Sequence, residues 1–436
     1  MIKKLLLLCM LSVSALCKGQ VVVDTAGYEA KMKWFAQAKL GIFIHWGIYA
    51  VNGIAESWSF HNGYISYDDY MKQLKGFTAK NYNPTQWATL IKESGARYAV
   101  LTSKHHDGVA LWGSKQGGIN VVNNTPAKRD LIQPFADALR KENIKVGLYF
   151  SLLDWSHPDY DNFIRDKKRY SKDSIRFNKF LSYMNGQLGE LSNQYNPDLF
   201  WFDGDWEHSA DEWHAADIRA NLVKRNPGVI LNSRLQGYGD YATPEQGVPI
   251  YKPKSKYWEL CMTMNDSWGY QQNDTKYKST NQVINILVNC ISKGGNLLLD
   301  IGPKADGTIC DEQVNILKGL GRWTNKHSEA IYETIAGIPL EYTNYPTALS
   351  SDSTKLFVYI NAWPTGPVAL KGIVNKINRV YVTSSGAVIE STVSGKQYWS
   401  EVPGIIYIDI PAERLDEDVT VLTILLDGKI KLYNEH

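Results

Sequence analysis

Short apolar runs alternate with longer stretches of helical periodicity along most of the chain. Between residues 28 and 335, each run is rich in β-branched and aromatic residues, and an amphipathic stretch separates it from the next run. This alternation is typical of parallel βα units, in which helices cover strands that are buried on both faces. The runs that predict strands are 40–44, 98–102, 145–150, 199–202, 229–232, 257–262 and 296–301.

Turn and capping residues indicate where helices begin and end. Asn83 and Pro84 are typical of a helix start, and Ser94 and Gly95 are typical of its end. We predict an α/β fold with a (β/α)8-like TIM barrel over residues 20–337, a span longer than the roughly 250 residues that such a barrel needs. A doubly wound open sheet is the alternative, but no glycine-rich phosphate loop follows the first run.

The pattern changes after residues 337–339. Four strand-like runs follow, separated by turn residues, and no clear helix intervenes. We predict an antiparallel β-sandwich over residues 338–436. Trp363 and Trp399 could bind carbohydrate there, but two isolated aromatic residues favour a structural role against the barrel. The four runs are 355–360, 380–382, 405–410 and 419–424.

The composition narrows the class of protein. The 436 residues are 44% hydrophobic, which is enough for one large core and a smaller one. The chain has 47 Lys and Arg residues and 45 Asp and Glu residues, so its net charge is close to zero. This excludes a protein that binds nucleic acid through a large overall positive charge. Aromatic residues make up 12% of the chain, a content that excludes a disordered protein. These residues either pack in the core or offer flat surfaces for sugar rings.

The first residues are typical of a secretory signal peptide. Two lysines precede an uncharged apolar run at 5–16, and small residues follow it. We expect residues 1–19 to be removed and the protein to be exported, with the periplasm as its compartment. Cys17 would allow a lipid-anchored form at the cell surface, but the bulky Leu16 before it disfavours this. No later stretch is long and apolar enough to span a membrane.

Three cysteines remain after such cleavage, Cys261, Cys290 and Cys310. An odd number at wide spacing does not form a disulfide framework, and no CxxC pair is present to bind zinc. We expect all three to be small, buried hydrophobic residues.

Polar and aromatic side chains stand at the ends of five consecutive predicted strands or just after them. Because active sites of (β/α) barrels lie at the carboxyl ends of the strands, we expect these side chains to meet in one pocket. One histidine or carboxylate beside a strand is more often structural, but the whole set is hard to explain as core. The set comprises His45-Trp46, His105-His106-Asp107, Tyr149 with Asp154, 203–207 and Ser233-Arg234.

Two chemistries could use such a set, metal-dependent hydrolysis and glycoside hydrolysis. The adjacent His105 and His106 would point to opposite faces if the strand continued through them, and no HxH or HExxH spacing is present, so we expect no metal site. Glycoside hydrolysis needs two carboxylates, a nucleophile and a proton donor. Asp203 follows a strand among aromatic residues and suits the nucleophile. Glu245 lies in a loop that could reach the leaving oxygen and suits the proton donor.

Several longer motifs are spread over the chain. They are His45-Trp46-Gly47, 102–108, 201–204, Trp258-Glu259, Trp268-Gly269-Tyr270, 294–303 and Asp306-Gly307-Thr308. Together these motifs resemble those of the α-L-fucosidases of glycoside hydrolase family 29, over essentially the whole mature chain. The resemblance implies a retaining, exo-acting hydrolase with a (β/α) barrel, a C-terminal β-sandwich and no cofactor. The implied substrate is a fucosylated oligosaccharide or glycoconjugate.

The resemblance also implies roles for individual residues. It makes Asp203 the nucleophile and places Trp268 beside the C6 methyl group of fucose, where an apolar wall favours a methyl and leaves a hydroxyl unpaired. The residues that it assigns to the sugar pocket are His45, Glu56, Trp58, His105, His106, Tyr149, Trp201, Arg234 and Trp268.

The chain departs from the family pattern at one place and leaves one role open. Family members often have adjacent Glu and Trp after the first strand, whereas here Ser57 separates Glu56 from Trp58. Glu245 fits the acid/base best because of its loop position. Glu259 is the alternative, but it lies inside a predicted strand, where a structural hydrogen bond explains it equally well.

We therefore predict hydrolysis of terminal α-L-fucosyl residues by double displacement. Two alternatives stay open at this point. One is an exo-glycosidase for related sugars such as α-L-galactosides, which carry a hydroxyl at C6. The other is a non-catalytic fucose-binding protein on the same scaffold, although the presence of both Asp203 and Glu245 argues against it.

Overall fold

The computed structural model describes residues 25–434, so the predicted signal peptide, with Cys17, lies outside the described residues. Short strands occupy the apolar runs that the sequence indicates. The strands before residue 302 are, in chain order, β1 (Leu40–Ile44), β2 (Tyr98–Lys104), β3 (Lys145–Ser151), β4 (Asn162–Ile164), β5 (Lys167–Lys168), β6 (Leu199–Asp203), β7 (Ile230–Leu231), β8 (Glu259–Thr263) and β9 (Asn296–Ile301).

Seven of these strands form one parallel sheet in the order β7-β6-β3-β2-β1-β9-β8, while β4 and β5 form a separate antiparallel hairpin. The sheet curls, and residues 241–245 connect its two edges. Tyr241 forms a parallel bridge with Asn232 beyond β7, and Glu245 forms one with Cys261 in β8. The predicted barrel-like α/β fold is confirmed as a curled sheet of seven parallel strands.

The central strands are buried on both faces, which explains why they are continuous apolar runs in the sequence. In β1, Leu40, Ile42 and Ile44 pack in the large core that the sheet shares with the helices. Phe43 points the other way, into a smaller core inside the curl, because successive side chains of a strand face opposite sides. That inner core is rich in aromatic rings and lies beneath the carboxyl ends of the strands.

Helices connect the strands and cover the outside of the sheet. They are α1 (Thr25–Ala38), α2 (Trp58–His61), α3 (Tyr67–Met71), α4 (Pro84–Glu93), α5 (Val121–Asn124), α6 (Ile132–Lys141), α7 (Ser174–Tyr195), α8 (Ala210–Trp213), α9 (Ala215–Arg225), α10 (Thr280–Ser292) and α11 (Asp311–Lys326).

The predicted capping residues act at both ends of α4. The side chain of Asn83 accepts a hydrogen bond from the backbone N–H of Gln86 at 3.1 Å, and Gly95 follows the helix with a φ of +90°. Within residues 25–434, no helix combines the length and the hydropathy needed to cross a membrane. Cys261, Cys290 and Cys310 are unpaired and buried, as expected.

Antiparallel sheets make up the C-terminal region, as predicted. A five-stranded sheet has the order β10-β11-β12-β17-β14, and a three-stranded sheet has the order β13-β16-β15. The first of these strands precedes residue 338, where the sequence predicts that the region starts. The strands are β10 (Thr334–Ala336), β11 (Thr347–Ser350), β12 (Lys355–Ile360), β13 (Val368–Leu370), β14 (Ile377–Val382), β15 (Ser391–Ser394), β16 (Ile405–Ile408) and β17 (Thr420–Leu426).

Strand β12 contributes to two cores at once. Leu356 packs between the two C-terminal sheets, whereas Phe357 packs into the large core of the barrel region, because neighbouring side chains face opposite sides. Trp323 on α11 is 1% exposed, and its indole N–H donates to the backbone oxygen of Val419 at 2.8 Å. The two regions therefore share buried contacts.

We expect Trp323→Ala to lower the free energy of unfolding by about 3–5 kcal/mol, because it leaves a cavity where the two regions meet. Chemical denaturation and scanning calorimetry measure this loss. Trp363→Ala removes a tryptophan that is 71% exposed, so it should change the free energy by less than about 0.5 kcal/mol. Equal stabilities of the two variants would contradict the shared core.

Candidate active site

One arginine connects two carboxylates at the carboxyl end of the curled sheet. Nη1 of Arg234 contacts Oδ1 of Asp203 at 2.9 Å, and Nη2 contacts Oε2 of Glu245 at 2.6 Å. Asp203 is the last residue of β6, and Glu245 lies in the segment that connects the sheet edges. Because both contacts use one planar guanidinium, the two carboxyl groups lie beside the same cation. The two acidic residues selected from the sequence therefore share one site.

Arg234 is both charged and held in place. Its guanidinium lies 4.6 Å from the centroid of the Trp201 ring, which allows a cation–π contact. Burial opposes the charge, but the carboxylates of Asp203 and Glu245 outweigh burial and raise the pKa of the guanidinium. The side chain of Asp203 is 14% exposed and that of Glu245 is 40% exposed. Asp203 thus lies inside the pocket and Glu245 lies at its mouth.

The second oxygen of Asp203 faces the inner core. The hydroxyl of Tyr149 donates to Oδ2 at 3.0 Å, and Nε2 of His106 lies 3.6 Å from the same oxygen. The ring of Tyr149 lies parallel to those of Trp201 and His105, at centroid distances of 5.7 and 5.6 Å. These rings restrict the orientation of the carboxylate.

Three histidines line the pocket beside Asp203. His45 follows β1, while His105 and His106 follow β2. The ring centroids of His45 and His105 are 5.9 Å apart, and those of His105 and His106 are 4.3 Å apart. β2 ends at Lys104, so the alternation that would separate two adjacent histidines does not apply, and both rings reach the pocket. Among the described residues, no group of three or more His, Cys, Asp or Glu side chains is arranged to hold a metal ion.

A residue behind each histidine binds its Nδ1 atom. These contacts orient the three rings, so that each ring directs its other nitrogen away from the partner and towards the pocket. The pairs are His45 with Asp300 at 2.7 Å, His105 with Ser57 at 2.6 Å and His106 with Ser151 at 2.6 Å.

The hydrogen bonds of Ser151 determine the tautomer of His106. Its hydroxyl donates to the backbone oxygen of Leu153 at 2.8 Å, so its oxygen accepts from Nδ1–H of His106. Nε2 of His106 is then unprotonated, and it has no hydrogen-bond partner among the described residues. This nitrogen is placed to accept a hydrogen bond from a ligand hydroxyl group.

Burial lowers the pKa of His45, His105 and His106 well below the usual 6.5, and neighbouring histidines add to the effect. Burial also raises the pKa of Asp300 well above its usual 3.8. The histidines are therefore neutral at physiological pH. Neutral imidazoles suit the recognition of hydroxyl groups, whereas imidazolium ions would favour an anionic ligand.

Trp268 provides an apolar wall of the pocket. Its ring centroid lies 5.0 Å from that of His45 and 6.0 Å from that of Phe43. The carboxylate of Glu56 accepts a hydrogen bond from the backbone N–H of Gly269 at 2.5 Å, which fixes the turn that carries Trp268. Burial raises the pKa of Glu56.

Trp58 completes the set that the sequence predicts. It is the first residue of α2, and its ring lies 5.6 Å from His106 with the planes nearly perpendicular. Ser57, the residue that lengthens the family motif, is the one that binds Nδ1 of His105. The structure brings all of the predicted site residues into one connected cluster.

Glu259 lies beneath this cluster. It is 0% exposed, and its carboxylate accepts hydrogen bonds from Nε1–H of Trp201 at 3.0 Å and from the hydroxyl of Tyr98 at 2.5 Å. These contacts fix Trp201, which in turn lies against Tyr149 and Arg234. Glu259 thus supports the floor of the pocket and does not reach its mouth.

Three residues in the site were not selected from the sequence: Asp300, Ser57 and Ser151. Asp300 lies in the apolar strand β9, and a carboxylate inside a buried strand is a signal that could have identified it. Ser57 and Ser151 have no such signal, because serine is common and only the fold brings their hydroxyls against the histidines.

Comparison with known proteins identifies the family of the chain. The α-L-fucosidase family model matches residues 15–329. The tissue α-L-fucosidase of Bos taurus is 35% identical over 326 residues, covering 69% of this chain and 68% of the bovine protein. The α-L-fucosidase of Branchiostoma floridae is 35% identical over 366 residues, covering 76% of this chain and 78% of that protein.

Solved structures have the same fold. α-L-Fucosidase isoenzyme 1 from Paenibacillus thiaminolyticus has a TM-score of 0.84 and 33% identity, covering 92% of this chain and 100% of that chain. A family 29 α-L-fucosidase from Bacteroides thetaiotaomicron, crystallised as a trapped covalent intermediate, has a TM-score of 0.81 and 28% identity, covering 92% of this chain and 96% of that chain. The chain belongs to the α-L-fucosidases of glycoside hydrolase family 29.

Proposed function

We propose that Asp203 and Glu245 are the two catalytic carboxylates of this retaining α-L-fucosidase. The observation that carries the proposal is their shared contact with Arg234, at 2.9 and 2.6 Å. Retaining glycosidases need two carboxyl groups about 5–5.5 Å apart on either side of the scissile bond. Two carboxylates on one guanidinium are suited to this spacing, and the pocket beside them contains neutral imidazoles and aromatic rings.

In the first step, Asp203 attacks the anomeric carbon and forms a glycosyl ester, while Glu245 donates a proton to the departing glycosidic oxygen. In the second step, Glu245 takes a proton from water. The water oxygen attacks the anomeric carbon, the ester bond to Asp203 breaks, and L-fucose leaves with its configuration retained. The hydrogen bond from Tyr149 and the contact with Arg234 orient Asp203 for the attack.

The pocket walls suit fucose. Neutral His45, His105 and His106 can exchange hydrogen bonds with its hydroxyl groups, while Trp268 offers an apolar surface for the C6 methyl group. An α-L-galactoside would place a C6 hydroxyl against this surface, where it has no partner, so galactosides are disfavoured as substrates. A purely binding protein would have no need for a nucleophile and a proton donor on one arginine.

We also propose that the enzyme acts on fucosylated oligosaccharides or glycoconjugates outside the cytoplasm, most simply in the periplasm. The support for export is the pattern of residues 1–19, in which a basic start precedes an apolar run and small residues.

Glu245 is preferred over Glu259 as the acid/base because of access. A proton donor must approach the leaving oxygen within hydrogen-bond distance. Glu245 is 40% exposed at the mouth of the pocket, whereas Glu259 is fully buried and already binds Trp201 and Tyr98. Burial raises the pKa of Glu259 to about 7, but its contacts leave it beneath the floor.

We expect Asp203→Gly to lower kcat on nitrophenyl α-L-fucoside by roughly 10³-fold or more, because the covalent step loses its nucleophile. Azide should restore part of the rate and give β-L-fucosyl azide, since the anion attacks from the side that Asp203 occupied. Product configuration is read by NMR. Activity close to that of the wild type, or an α-azide product, would reject Asp203 as the nucleophile.

We expect Glu245→Ala to form the glycosyl ester from the activated nitrophenyl substrate and then to stall, because no base activates water. Azide should raise turnover and give α-L-fucosyl azide, the retained product. Glu259→Gln is the matched control. It should have lower activity, because a glutamine has one acceptor oxygen where Glu259 offers two to Trp201 and Tyr98, and azide should leave its rate and product unchanged. Rescue of a Glu259 variant alone would transfer the acid/base role to that residue.

The pH dependence of stability tests the buried state of Glu259. Its folded pKa of about 7 lies above the usual 4.5 of a glutamate, so the folded state binds the proton more tightly than the unfolded state. The contribution of Glu259 to the free energy of unfolding should therefore fall as pH rises from about 4.5 to 7, by up to about 3 kcal/mol. Denaturant titrations across this pH range should show that the free energy of unfolding falls less steeply with pH in Glu259→Gln than in the wild type. Identical pH dependences of the two proteins would contradict a raised pKa for the buried Glu259.

A further inference from the structure

Trp206 is a large aromatic residue that lies exposed beside the catalytic pair. It follows Asp203 closely in the chain, yet its side chain is 49% exposed. Among the tryptophans beside the pocket, Trp155 and Trp201 are buried, and Trp58 and Trp268 are partly buried. An exposed indole at this place has no role in the core, and the proposed steps at the anomeric carbon do not use it.

The ring of Trp206 continues the wall of the pocket outwards. It lies nearly parallel to Trp58, with 6.0 Å between centroids and 18° between planes. It also approaches the edge of His106, at 5.7 Å, and His106 in turn lies 3.6 Å from Asp203. Trp206 therefore forms the rim of the same pocket, one ring further out than Trp58.

The loop that presents Trp206 is fixed on both sides. Before it, the carboxylate of Asp205 accepts a hydrogen bond from the backbone N–H of Gln236 at 2.7 Å, and the backbone oxygen of Asp205 accepts one from the indole of Trp213 at 2.9 Å. After it, the carboxylate of Glu207 accepts hydrogen bonds from three side chains. They are Trp155 at 3.2 Å, Tyr160 at 2.5 Å and Asn162 at 2.8 Å.

This anchoring means that the exposed indole is held in one orientation. A flat aromatic surface of fixed orientation binds the apolar C–H face of a sugar ring without a large ordering cost. The fucosyl ring occupies the inner pocket, next to Asp203, so a surface at the rim faces whatever is attached to that ring.

We propose that Trp206, supported by Trp58, is the stacking surface for the leaving-group sugar, the residue to which fucose is joined in the substrate. The inference rests on the proposed catalytic role of Asp203 and Glu245 and extends it to a second binding position. It makes Trp206 a determinant of preference for glycan substrates over small fucosides.

The test compares two substrates in the same variant. α-L-Fucosyl fluoride has no leaving-group sugar, whereas a fucosyl-galactose disaccharide that the wild type cleaves has one. We expect Trp206→Ala to lower kcat/KM on the disaccharide about 10-fold and to leave kcat/KM on the fluoride within twofold. Trp206→Phe should recover part of the loss, because it keeps a flat ring. The ratio of the two values is independent of how much of the variant is folded.

Trp399→Ala is the control, since it removes an indole of similar exposure, 70%, in the C-terminal region. Both of its kcat/KM values should equal those of the wild type. An equal loss on both substrates for Trp206→Ala would place Trp206 in the fucose pocket, and no loss on either would remove it from substrate binding. Either of these two results would overturn the inference about Trp206 and leave the proposed function intact. A wild-type enzyme that is inactive on the fluoride would overturn the proposed function.

Discussion

The contact of Arg234 with both Asp203 and Glu245 is the constraint on which the rest of the site depends. Two carboxylates in a partly buried pocket repel each other unless a cation lies between them. The guanidinium supplies that cation, and its fork geometry gives each carboxylate its own nitrogen. It also joins three parts of the fold, the end of β6, the turn after β7 and the segment that connects the sheet edges.

The position of Arg234 depends in turn on the layer beneath it. Its guanidinium rests on Trp201, and the buried carboxylate of Glu259 fixes Trp201 from below. The aromatic residues of the inner core therefore help to position the residues of the pocket, although those below the floor are buried. The same logic applies to Asp300, whose carboxylate contacts Nδ1 of His45 through one oxygen and has no partner for the other among the described residues. In this pocket, buried groups determine the positions of the side chains that line it.

Much of the fold was predictable because its signals are local. Runs of apolar residues identified the parallel strands, since strands buried on both faces must be apolar throughout. The start and end of α4 followed from Asn83 and Gly95, whose side-chain chemistry and backbone freedom act within a few residues. Short strands such as β10 and β15 were not predicted, because they have no hydrophobic pattern of their own. They are strands because they pair with neighbouring strands.

The sequence by itself determined the class of fold, the residues that gather at the carboxyl ends of the strands, and the family to which the chain belongs. These follow from periodicity, from motif order and from residue types. Only the tertiary structure decided that His105 and His106 reach the same pocket, that Ser57 and Ser151 hold them, and that Glu259 is buried while Glu245 stands at the mouth. Burial and hydrogen-bond partners arise between segments far apart in the chain, so no local pattern encodes which of two glutamates faces solvent.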